Sequence, residues 1–159
     1  MSENNRNILI LGFGSDILMD SGIGPKLIRY LQSRLANPEI SFDNAAVGGL
    51  DLIEIMRDYK QVIIIDTTKT INGIPGSVYY FTPDTFKETL HISLVHDISF
   101  STALKLATKL NIQITDKINI IAIEIVDYLT LGNKFSPQLQ EKYPEIKIEV
   151  EAAIRKMIR

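Results

Sequence analysis

The chain contains no cysteine. That excludes disulfides, zinc–thiolate sites and cysteine nucleophiles. It also lacks any apolar run near the ~20 residues that cross a bilayer. Residues 1–7 are polar and have no apolar signal-peptide core. The expected location is therefore the cytoplasm. An excess of one charge is missing too. Seventeen Lys and Arg face nineteen Asp and Glu, for a net charge of -2. Such a balance gives no reason to expect nucleic-acid or anionic-membrane binding. What remains is 159 residues that are 45% hydrophobic. That length suffices for one domain with a full core. No internal repeat, low-complexity tract or linker interrupts it, so residues 1–159 are read as one domain.

One stretch organises the chain: Gly12-Phe13-Gly14-Ser15-Asp16-Ile17-Leu18-Met19-Asp20-Ser21-Gly22-Ile23-Gly24-Pro25. It follows the apolar run Ile8-Leu9-Ile10-Leu11, which reads as a strand buried on both faces. Ile23, Leu27, Tyr30, Leu31 and Leu35 follow at helical spacing, so residues 23–35 are expected to be helical. Glycine permits close backbone approach and positive φ in such a loop, and Pro25 suits the first turn of the helix.

The rest of the chain repeats this alternation. Residues 40–44 read as a second strand and residues 50–59 as a second helix. Val62-Ile63-Ile64-Ile65 reads as a central strand that ends in Asp66. Residues 77–81 follow too closely for a helical crossover, so they are expected to pair antiparallel, as a hairpin or an edge strand. A third helix is expected over 99–110, with Ser99 as its N-cap. A further buried strand is expected over 118–126. A last helix is expected from about Pro144 to Arg159, with Ile148, Ala152 and Ile154 among its apolar positions. The fold class is α/β: a three-layer α/β/α sandwich around a twisted, mostly parallel five-stranded sheet with one antiparallel strand.

Three polar clusters fall at strand ends or helix starts: Asp16, Asp20 and Ser21, then Asp66, then His96. In an open α/β sheet these places converge at the carboxyl ends of the strands. Two carboxylates and an imidazole suit a divalent metal such as nickel or zinc. They also suit acid–base work. Each residue has an ordinary structural role open to it as well, as a cap, a turn residue or a loop-ordering group. His91 has no acidic neighbour in sequence. A dinucleotide site fits poorly. Gly12-Phe13-Gly14 begins like G-x-G-x-x-G, but Ile17 takes the place of the third glycine. A serine hydrolase fits poorly too. Ser21, His96 and Asp66 are the right residue types, yet no G-x-S-x-G elbow is present.

Taken together, the motifs resemble the hydrogenase maturation proteases, which trim the C-terminus of the nickel–iron hydrogenase large subunit. The family opens with approximately G-x-G-N-x-L-x-x-D-D/E-G-x-G, against residues 12–24 here. Its second marker, a strand ending in aspartate, is matched by Ile63-Ile64-Ile65-Asp66. Its third, a histidine ahead of a helix, is matched by Ser93-Leu94-Val95-His96-Asp97. Glu124-Ile125-Val126-Asp127, Leu129-Thr130 and Leu139 match the late part of the family in style. The resemblance spans nearly the whole chain.

The resemblance implies an endopeptidase acting on a nickel-loaded large-subunit precursor. Nickel would be carried by the substrate, and Asp20, Asp66 and His96 would be the catalytic and metal-contacting residues. No serine or cysteine nucleophile belongs to that picture. The sequence departs from the motif at two positions. Ser15 stands for the asparagine. Ser21 stands for the acid expected to supply the first metal ligand, and a neutral hydroxyl is a poor substitute for a carboxylate. This second departure opens an alternative: a non-catalytic relative that acts as a binding or maturation-chaperone module.

Overall fold

The computed structural model describes residues 7–45, 50–85 and 100–159. Five strands form one sheet in the order β2-β1-β3-β5-β4. They are β1 (Ile8–Phe13), β2 (Ile40–Ala45), β3 (Gln61–Thr68), β4 (Val78–Phe81) and β5 (Ile118–Glu124). All neighbouring pairs are parallel except β4 with β5. The helices are α1 (Ile23–Arg34), α2 (Leu50–Met56), α3 (Phe100–Lys109) and α4 (Pro137–Met157).

The apolar runs explain why both faces are covered. Successive side chains of a strand point to opposite faces. Ile8 and Ile10 of β1, Ile63 and Ile65 of β3, and Ile121 and Ile123 of β5 share one core with Leu27 and Leu31 of α1 and Val150 and Ile154 of α4. Leu9 and Leu11, Val62 and Ile64, and Ile118 and Ile120 form a second core with Leu52 and Met56 of α2 and Phe100 of α3. Each such side chain, fully buried, is worth roughly 1.5–3 kcal/mol against exposure. A continuous Ile/Leu/Val run is therefore needed here, and an alternating one would leave one core empty.

The expected α/β sandwich with its single antiparallel strand is what the chain adopts. Several details differ. β3 does not end at Asp66 but continues through Thr67 and Thr68, which pair with Ile123 and Glu124. Pairing with β1 stops earlier, at Gly12 and Ile65. Asp66 thus lies one residue beyond the last rung shared with β1, while still in the ladder with β5. β4 is an antiparallel edge strand on β5, one of the two arrangements expected for it, and not a hairpin partner of β3.

The last helix starts at Pro137, seven residues before Pro144. Proline is well placed at its first turn, where an amide would have no intrahelical partner. Pro144 sits inside the helix and removes one backbone bond there. Burial of Leu139, Ile146, Val150 and Ile154 offsets that loss. Ile148 and Ala152, expected on the apolar face, are exposed instead. Among the described residues, no helix is long and apolar enough to cross a membrane.

Candidate functional site

β1, β3 and β5 are parallel, so their carboxyl ends lie at one rim of the sheet. The loop after β1 is pressed tightly against the helix start. Gly14 has φ +138, and a Cβ there would run into the Ser21 carbonyl. A Cβ at Gly24 would run into the carbonyl of Phe13. Only glycine satisfies both positions, and this is the physical content of the glycine-rich motif. The chain then makes a short 3-10 turn, Met19–Gly22, before α1.

The three acidic or hydroxyl candidates of this loop have separate roles. Asp16 is exposed and pairs with Arg29 of α1 through two hydrogen bonds of 3.1 and 3.2 Å. The hydrogen bond to Asp16 raises the Arg29 pKa. Asp20 is wholly buried. Its Oδ2 accepts hydrogen bonds from the amides of Val126 and Asp127 at 3.0 and 2.9 Å, and from the Ser136 hydroxyl at 2.7 Å. Its Oδ1 accepts from the Ser136 amide at 2.7 Å. The Asp20 amide in turn donates to the carbonyl of Asp127 at 3.0 Å. Asp20 therefore fastens the loop after β1 to the loop between β5 and α4. Ser21 is buried, and its hydroxyl oxygen accepts from the Ser15 amide at 3.2 Å.

Asp66 is fully buried, with Oδ1 accepting from the Thr67 amide at 2.7 Å. Strand alternation sets it on the same face as Val62 and Ile64, the face covered by α2 and α3. His96, the third expected residue, lies outside the described residues, as do His91, Ser93, Asp97 and Ser99. Among the described residues, no group of three or more His, Asp or Glu side chains is disposed to hold a metal ion.

Two residues of this rim have partners that the sequence does not reveal. Ser136 is the far end of the Asp20 clamp, and only its place before Pro137 hints at a helix start. Glu124 closes β5 opposite Thr68. It is buried, and its Oε1 accepts from the Thr70 amide at 2.7 Å and the Thr70 hydroxyl at 2.9 Å. Its Oε2 is buried with no hydrogen-bond partner. The sequence matched Glu124 to the late part of the family in style only, and its burial and its bonds to Thr70 carry no spacing signal.

The model of the HycI hydrogenase maturation protease family matches residues 25–158. The chain belongs to the hydrogenase maturation protease family. Solved structures agree with the fold. A hydrogenase maturating endopeptidase, HybD from Escherichia coli, is similar with a TM-score of 0.71 and 19% identity, over 94% of this chain and 93% of that one. A NiFe hydrogenase maturation protease, HycI from Thermococcus kodakarensis, gives 0.67 and 16% over the same shares, 94% and 93%. The solution structure of an endopeptidase from Escherichia coli gives 0.71 and 20%, again over 94% and 93%. Comparison with curated proteins returns no match. The family match begins at Pro25, just after the glycine-rich loop, and includes both Asp66 and His96.

Proposed function

We propose that this chain is the endopeptidase that removes the C-terminal peptide of a nickel-loaded hydrogenase large-subunit precursor. The observation that carries the proposal is the family match over residues 25–158. Within it, a buried aspartate stands at the carboxyl rim of the central strand. In this reading the nickel ion arrives with the substrate. Asp66 and His96 contact it, and the Thr67 amide fixes the Asp66 carboxylate. Asp20 assists by holding the two rim loops together, since its carboxylate already accepts four hydrogen bonds. The substrate's nickel polarises the scissile carbonyl or positions the attacking water. No side chain of the protein serves as nucleophile.

A second reading has a specific observation in its favour. Ser21 occupies the place of the first acidic ligand, and the carboxylates of Asp16 and Asp20 are both engaged elsewhere. A site short of one acid fits a non-catalytic binding or chaperone module of the same family.

Intact mass of a nickel-loaded precursor, with and without the protein, separates the two. Loss of the C-terminal peptide with the natural protein, and none with Asp66→Asn or His96→Ala, is the result expected of the endopeptidase. Binding of the precursor without any cleavage is the result expected of the module.

A further inference from the structure

Three large apolar side chains stand exposed on the two loops that Asp20 joins. Ile17 is 65% exposed, Leu129 74% and Leu131 75%. Single exposed apolar residues are ordinary on protein surfaces. These three differ because the backbone beneath them is tied down. Leu18 and Gly132 form a parallel bridge. The amide of Gly132 donates to the Ile17 carbonyl at 2.9 Å, and the Met19 amide donates to the Gly132 carbonyl at 3.0 Å. Ile17 and Leu131 each precede a bridging residue, so the register sets them side by side.

Leu129 is fixed in a different way. The Asp127 carboxylate accepts from the amides of Leu129 and Thr130 at 3.0 and 2.9 Å, and from the Thr130 hydroxyl at 2.6 Å. Lys26 adds a further tie, donating to the Asn133 carbonyl at 3.0 Å. Two loops, which would ordinarily be the mobile part of an α/β protein, are thus built as one rigid frame with apolar side chains on its outside. A preorganised surface loses little conformational freedom when it is covered.

We propose that Ile17, Leu129 and Leu131 form the docking surface for the folded body of the precursor, beside the tail that is cut. The proposal rests on the function proposed above and names where that substrate sits. Continuity with the candidate site identifies the occupant. The frame bearing these side chains also carries Asp20 and Ser21, and it rises from the carboxyl end of β1, next to the strand that carries Asp66. The charges around the patch are of both signs. Asp16 is paired with Arg29, Lys26 of α1 reaches the Asn133 carbonyl, and Asp127 and Lys134 both belong to the loop before α4. Such a mixture offers no field for an anionic membrane or a nucleic acid. An apolar patch of this kind fits a protein surface.

The test uses the full chain and a nickel-loaded large-subunit precursor. The double variant Ile17→Ser/Leu131→Ser and the single variant Leu129→Ser are compared with Leu110→Ser. Leu110 is also exposed, just past the end of α3 and away from the two loops. Cleavage is followed by intact mass, and binding by interferometry on a precursor lacking the tail. The double variant is expected to raise KM and the Kd for the tail-less precursor by about tenfold or more, with kcat within about twofold. Leu110→Ser is expected to change neither. Cleavage by the natural protein with an unchanged KM in the double variant would overturn the docking surface and leave the endopeptidase standing. Loss of self-association with an unchanged KM would overturn it too, because the occupant would then be a second copy of the chain. If the natural protein binds the precursor without cutting it, and the double variant loses that binding, the surface stands and the proteolytic reading falls. A natural protein that neither binds nor cuts the precursor overturns both.

Discussion

Asp20 and Ser136 lie 116 residues apart in sequence and share two hydrogen bonds of 2.7 Å, one from the Ser136 amide and one from its hydroxyl. Together with the amides of Val126 and Asp127, they saturate a buried carboxylate. Removing the acceptor strands several donors at once, each at about 1–3 kcal/mol when left unpaired. Asp20→Ala is therefore expected to cost about 4 kcal/mol of stability in urea unfolding. Asp20→Asn keeps the shape but turns one acceptor into a donor, at about half that cost. A loss under 1 kcal/mol for Asp20→Ala would show that water replaces the carboxylate and that no clamp exists.

Gly14→Ala attacks the same frame from the other side. Its new methyl group meets the Ser21 carbonyl, and its φ of +138 is unfavourable for any side chain. Strain of this kind costs about 1–3 kcal/mol. A thermal midpoint lowered by several degrees is expected, and an unchanged midpoint would mean that the loop has room to relax.

Far from the rim, Glu151 of α4 accepts hydrogen bonds from Tyr30, Arg155 and Arg34. The Tyr30 hydroxyl is the largest of these influences, and the carboxyl pKa falls from its ordinary 4.5 to about 2. A depressed carboxyl pKa adds stability that is complete above the unfolded value and vanishes as pH falls through the folded one. Between about pH 5 and pH 2, the natural protein should lose more stability than Glu151→Gln does. Parallel urea midpoints for the two proteins across that window would sink the assignment.

Ser21→Asp restores an acid where the family motif has one. The position is buried, so the unliganded variant is expected to lose about 1–3 kcal/mol. Cleavage of the nickel-loaded precursor is expected to quicken in exchange. Equal cleavage by the two proteins, followed by intact mass, would mean that the site works with Asp66 and His96 and needs no third acid.

Most of the fold was legible because the central strands are nearly continuous apolar runs and α1 and α3 show a 3.6-residue stripe. The errors came where a polar residue hid a continuing element. Thr67 and Thr68 looked like a loop, yet they remain in the ladder with β5. Pro144 looked like a helix start, when Pro137 is the start and Pro144 an internal residue. At the candidate site, the acids themselves were visible, but their employment was not. Asp20 acts through Val126, Asp127 and Ser136, partners set by the fold and carrying no spacing rule. Glu124 was matched in style only, and its bonds to Thr70 were not legible.

The Asp20 clamp also fixes when the rim can form. The accepting half, the Asp20 carboxylate, is synthesised before its donors, which come only with Val126, Asp127 and Ser136. The sheet has the same requirement, because β3 gains its second neighbour only from β5. Such long-range contacts close late, after their intervening chain has been made. A nascent chain still tethered to the ribosome, with α4 inside the exit tunnel, would have its first glycine-rich loop exposed and no assembled rim. The order of residues thus delays assembly of the rim until Ser136 has emerged.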